Sequence, residues 1–182
     1  MSVTDETELH ARQFFAGHEI SLRQWVLGPA PEEMTDVRIL EIAPGPRLPE
    51  PIYLTAGAWR GALRPLEFLI IGQGHRDAYV ELLTMIAWYA RTHSLGLGHS
   101  VSIGKPLVDG SACEYVYLTL PYLFGPELEI VPTREGERQI LWTFPITAQE
   151  KGFLNAEGLD ALEQRFESAE VEYWSPTRRS VV

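Results

Sequence analysis

Five histidines, one cysteine and a helix-leading glutamate are the residues of this chain whose types could do chemistry. His93 and His99 flank a glycine-rich turn, and Asp109 and Cys113 follow, so a metal site can be drawn from these four. Zinc needs three or four convergent ligands, commonly supplied in pairs at HxxxH or CxxC spacing. Neither spacing occurs among His10, His18, His75, His93, His99 and Cys113, so these residues are read as structural or solvated, with no metal and no cofactor. Gly72-x-Gly74 sits between a predicted strand and a predicted helix, where phosphate loops sit. It lacks the third glycine of a dinucleotide fingerprint and the Gly-Lys-Ser/Thr of a P-loop, and reads as a turn. Cys113 has no cationic neighbour to lower its thiol pKa and reads as a small apolar residue. No GxSxG elbow is present. Glu150 lies three residues after Thr147, a spacing that a capping box explains without acid–base chemistry.

The elements that would position these residues follow from periodicity and turn residues. Residues 6–17 read as a helix with Leu9, Phe14 and Phe15 on its apolar side, and residues 19–27 and 37–43 as strands around a Gly28-Pro29-Ala30-Pro31 turn. Four prolines between Pro44 and Pro51 force an extended surface crossing. Residues 52–56 and 66–71 are short apolar strands. Asp77 is a candidate cap for the longest helix, 79–93, whose stripe carries Leu82, Met85, Ile86 and Tyr89. Strands are expected at 101–103, 115–120, 128–131 and 139–144, the last ending at Pro145 because proline cannot donate to a ladder. Arg134-Glu135-Gly136-Glu137 reads as a hairpin turn. Behind Thr147-x-x-Glu150, the residues Leu159, Leu162 and Phe166 fall on one helical face. The fold class is α+β: a largely antiparallel twisted sheet with one long helix and a C-terminal helical pair packed on it.

Composition narrows the function classes. A chain of 182 residues suits one domain, and 45% hydrophobic with 22% charged residues is ordinary for a globular protein. No apolar run approaches the ~18 residues of a membrane span, and the acidic, polar N-terminus has no signal-peptide pattern, so no membrane association is expected. The lone cysteine fits a reducing, cytoplasmic setting. A formal net charge of −10 argues against nucleic acid, which is held by lysine and arginine, and favours steering toward a basic partner. Trp59 and Trp174 lie in loop-like contexts and are candidate interface residues.

Several motifs resemble the suppressor-of-fused domain family, especially its bacterial members. They are Tyr53-Leu54-Thr55-Ala56-Gly57, Arg64-Pro65-Leu66-Glu67-Phe68, Gly98-His99-Ser100-Val101, Lys105-Pro106-Leu107, Pro145-Ile146-Thr147-x-x-Glu150 and the ending Pro176-x-Arg178-x-Ser180-Val181-Val182. The similarity spans 53–182, and residues 1–50 match weakly. It implies the same α+β class and a protein binder instead of a catalyst. In animal members a partner peptide adds as a strand, aided by a tyrosine near the end of the main helix and an aspartate in the following loop. Tyr89 falls at the tyrosine position and His99 at the aspartate position, a departure in peptide specificity. Tyr89 and His99 on the resemblance, with Trp59 on its loop-like context, are the candidate partner-binding residues. Bacterial relatives are inferred to be immunity proteins, which implies a protein partner such as a basic toxin, neutralised by occlusion. Two other readings remain: a small-molecule enzyme with an unrecognised site around His75, His93 and His99, and an intracellular scaffold or regulator.

Overall fold

The computed structural model describes residues 5–27 and 33–182, and the predicted Gly28-Pro29-Ala30-Pro31 turn lies outside them. Among the described residues, eight strands join in one sheet: β1 (Ile20–Arg23), β2 (Arg38–Ile42), β3 (Ile52–Ala56), β4 (Leu66–Ile71), β5 (Ser100–Ser102), β6 (Cys113–Thr119), β7 (Ile130–Thr133) and β8 (Gly136–Thr147). Helices α1 (Glu6–Phe14), α2 (Arg76–Tyr89), α3 (Pro126–Glu129), α4 (Ala148–Glu157) and α5 (Leu159–Ser168) accompany them. The strand order is β1-β2-β3-β4-β8-β6-β5, with β7 also on β8. Only β4–β8 is parallel, so the largely antiparallel sheet expected from the sequence is found.

Strand alternation divides the apolar residues between two cores. Ile39, Tyr53, Phe68, Ile70, Val116, Leu118 and Leu141 face α2, where they meet Val80, Leu83, Ile86 and Ala87. Their neighbours Leu40, Leu54, Leu69, Tyr117, Ile140, Trp142 and Phe144 face the other way, onto Phe14 of α1, Leu154 of α4 and Leu162 and Phe166 of α5. The C-terminal helices thus pack on the strand they were expected to cover.

Several boundaries differ from expectation. β8 does not stop at Pro145 but runs on to Thr147. The carbonyl of Pro145 accepts from Arg178 Nη2 at 2.7 Å. A strand residue sends its N–H and C=O to the same edge. The missing N–H therefore faces the edge that β4 leaves after Trp142, and no bond to β6 is lost. The strand expected at 128–131 begins only at Ile130, because Gly125 at φ 70° and Pro126 at the first helical position start a helical turn, α3. Asp77 does not cap α2: the cap position is His75, at φ 23°, and Asp77 lies in the first turn. That helix ends at Tyr89, four residues short of the prediction. Leu9 is exposed, and Ala11 with Phe14 and Phe15 supplies the buried side of the N-terminal segment.

Gly72 shows what the Gly-x-Gly turn does. A Cβ there would stand 2.3 Å from the Tyr79 ring, whose hydroxyl donates to the Gln73 carbonyl at 3.2 Å. The turn admits a core tyrosine from α2.

Candidate functional site

At the far edge of the sheet, β5 pairs only with β6 among the described residues. The Leu118 amide donates to the His99 carbonyl at 2.8 Å, and the Ile103 amide to the Glu114 carbonyl at 2.9 Å. Residues 99, 101 and 103 therefore point their backbone groups at β6. By alternation, the N–H and C=O of Ser100 and Ser102 point away from the sheet, with no strand beyond them among the described residues. Such an edge is a template for a further strand.

Beside that edge runs a groove. A cleft of about 590 Å³ is lined by Tyr89, Thr92, His93, Leu95, His99 and Asn155. A narrower apolar groove of about 190 Å³ continues between α2 and β5, lined by Leu82, Met85, Ile86, Tyr89, Val101 and Ile103. Tyr89 lines both, so the two meet at its side chain. Helical spacing explains this position. Leu82 and Ile86 turn inward from the same stripe, while Met85 and Trp88 are exposed and Tyr89 is half-buried at the boundary. His93 stacks on Tyr89 with centroids 3.7 Å apart and rings 8° from parallel. Its amide donates to the Tyr89 carbonyl at 3.0 Å, which extends the helix end by a hydrogen-bonded turn. His99 is exposed on the opposite wall. Lys105 Nζ reaches both Glu81 oxygens, at 3.0 and 2.9 Å, and ties the loop after β5 to α2.

Tyr89 and His99 are therefore brought together, and Trp59 is not with them. Trp59 is half-buried in a polar cluster under α1. Its indole N–H donates to Asp5 at 3.2 Å, and the Arg138 guanidinium lies 3.8 Å from its ring centre. Asp5 also caps α1 through the Thr7 amide and pairs with Arg60 and Arg138. Behind them lies Glu67, fully buried, accepting from the Gly57 and Ala58 amides and the Thr55 and Thr7 hydroxyls. Burial pushes its carboxyl up to about 7, against the hydrogen bonds from Thr55 and Gly57 and helped by the nearby Asp5 charge. Sequence inspection did not single out Glu67. It stood only inside a motif of the family resemblance, and its own signal was a lone glutamate amid Leu66, Phe68, Leu69 and Ile70. Trp174 is half-buried, edge-on to Tyr173 at 4.8 Å.

The remaining reactive types are dispersed. His75 occupies the α2 cap position, His10 meets the Leu128 carbonyl and His18 the Ala43 carbonyl. Burial raises the pKa of Cys113, which disfavours its thiolate. Among the described residues, no three His, Cys, Asp or Glu side chains converge as metal ligands. None of the described helices is long and apolar enough to cross a membrane. Glu150 works as the capping-box member: Thr147 Oγ1 accepts from the Glu150 amide at 3.2 Å, and the Thr147 amide donates to Glu150 at 2.9 Å.

The family model described as suppressor of fused protein matches residues 65–179. Among solved structures, a suppressor-of-fused homologue from Neisseria gonorrhoeae superposes with a TM-score of 0.84 at 29% identity, covering 97% of this chain and 95% of the other. The structure of a Sufu–Fu complex matches with a TM-score of 0.69 at 13% identity, over 94% of this chain and 89% of that one. Suppressor of fused from Drosophila matches at 0.57 and 14% identity, over 89% of this chain but 42% of the fly protein. The last two likenesses concern the fold. No curated protein matches the sequence.

Proposed function

The chain belongs to the suppressor-of-fused family, and from that premise we propose that it is a non-catalytic protein-binding module, one domain whose partner adds a strand to β5. The observation that carries this reading is the open β5 edge lying beside a groove with Tyr89 at its centre and His99 on its wall. Backbone bonds to Ser100 and Ser102 would supply affinity, and the apolar groove would select alternate side chains. Tyr89 offers a large apolar face at low entropic cost. A family relative solved as a Sufu–Fu complex is in keeping with a partner-binding role.

The finer reading is an immunity protein that neutralises a basic toxin in the cytoplasm by occlusion, without turnover. Its support is the net charge of −10 with a pI near 4.9, which favours fast encounter with a cationic partner. Site-specific photocrosslinking in the native host tests the binding face. A photoreactive residue replacing Met85, exposed beside the groove, should give one discrete adduct, and one replacing Glu127 should give none. An adduct from Glu127 alone would place the interface elsewhere. With the partner in hand, association should slow markedly between about 0.05 and 0.5 M salt.

A further inference from the structure

On the opposite face of the sheet from the β5 groove, β6, β8, α5 and the segment after it line a second, open cavity of about 350 Å³. Its walls are aromatic. Phe144 and Phe166 stand 4.8 Å apart, and Trp142 meets Tyr173 edge-on at 5.5 Å. Glu163, Glu167 and Glu170 also line it, the last two exposed at its opening. Glu163 accepts hydroxyl hydrogen bonds from Thr119 and Tyr122, at 2.8 and 2.9 Å. Among the described residues, none of the three carboxylates is within ion-pair distance of a lysine or arginine.

One detail points to a ligand. Trp142 is only 4% exposed, lines the cavity, and its indole N–H has no hydrogen-bond partner. A buried donor left unpaired is costly; the nitrogen is itself covered, so an acceptor satisfies it by parting the rings that line the cavity. Glu170 holds φ 48°, the left-handed position after α5 where glycine or asparagine is the cheap choice.

We propose that this cavity binds a small organic cation: a protonated amine on a flat aromatic body that carries one oxygen acceptor at its far end. The ring lies among the aromatic walls, the oxygen takes the Trp142 N–H, and the ammonium faces Glu163, Glu167 and Glu170. Aromatic faces attract cations as well as apolar groups, and three unpaired carboxylates exclude an anion. The volume lies at the low end of the ~300–1,000 Å³ typical of small-molecule sites, which suits a single-ring ligand.

Titration calorimetry of the full chain at low salt and neutral pH tests this with three probes of one shape. They are tyramine, its neutral counterpart 4-hydroxyphenethyl alcohol, and its acid counterpart 3-(4-hydroxyphenyl)propionate. Tyramine should bind about tenfold or more tighter than the alcohol, and the acid weakest of all. The double variant Glu167→Gln/Glu170→Gln should bring tyramine down toward the alcohol and leave the alcohol unchanged. Glu170→Gly should weaken tyramine while holding or raising the melting temperature, since it relieves the left-handed backbone. The proposal is overturned by absence of tyramine binding up to about 10 mM. It also fails if the three probes bind equally, or if affinity is indifferent to the glutamate variants. Binding of a lysine-rich peptide but not of tyramine would assign the cavity to a protein partner instead, and would equally overturn it.

Discussion

Arg178 closes a fork on Glu150: Nη1 stands 2.7 Å from Oε1 and Nη2 2.8 Å from Oε2, with both side chains buried. The same carboxylate accepts from the Thr147 amide at 2.9 Å and the Val181 amide at 3.0 Å. One glutamate therefore caps α4, anchors the C-terminal segment, and through Arg178 satisfies the Pro145 carbonyl on the open edge of β8.

Removing one partner from such a pair leaves the other charged, buried and alone. Arg178→Ala should cost ~3–5 kcal/mol in urea or guanidinium unfolding. The double variant Glu150→Met/Arg178→Met should recover part of that loss, because it removes both charges. A single-variant cost below about 1 kcal/mol would mean that the fork is solvated.

Glu67 gives the chain a pH-dependent component. Its carboxyl is raised from 4.5 to about 7, chiefly by burial. A carboxyl raised on folding does no harm while both states hold the proton, and its cost grows as the unfolded state ionises first. As far as this group is concerned, stability should therefore be full at about pH 4 and below, and fall by ~3 kcal/mol up to about pH 7. Glu67→Gln abolishes that component. It also sets an amide N–H₂ against a backbone donor, since Gly57 donates to one oxygen and Ala58 to the other. That costs ~1–3 kcal/mol. The variant should be less stable than the native chain at pH 5 and close the gap by pH 7.5. An equal difference at both pH values would contradict this.

Leu162 is fully buried against the β8 face. Leu162→Ala should cost ~2–5 kcal/mol by denaturant unfolding, and a loss under half a kcal/mol would remove α5 from the core.

Much of this was legible. Short apolar runs at 52–56 and 66–71 gave β3 and β4 their bounds, because fully buried strands flanked by turn residues leave little choice. Thr147-x-x-Glu150 announced α4, since the two ends of a capping box lie three residues apart. Local rules failed where distant groups intervened. Pro145 stays in its strand because a side chain from residue 178 meets its carbonyl. Tyr89 read first as a core residue of the apolar stripe and second as a contact, and it lies at the boundary because the α2 stripe ends there. The aromatic cavity was hidden altogether: Tyr117, Trp142 and Phe166 are far apart in sequence, and each alone reads as core.

Tyr89 and His99 separate binding from folding. Tyr89→Phe keeps the ring stacked on His93, and His99 is exposed, so Tyr89→Phe and His99→Ala should leave the melting temperature nearly unchanged. Both should weaken the partner complex measurably in calorimetry or surface binding. Lost stability with intact affinity would make them structural residues.

Strand addition at β5 is most directly read from amide hydrogen exchange of Ser100 and Ser102, measured by NMR for the free chain and for its partner complex. Their N–H groups face away from β6, so they should exchange quickly when free and be protected when a partner strand pairs with them, while Thr133 on β7 is unaffected. Unchanged exchange at Ser100 and Ser102 in a saturated complex, with protection appearing elsewhere, would contradict the assignment of β5 as the binding edge.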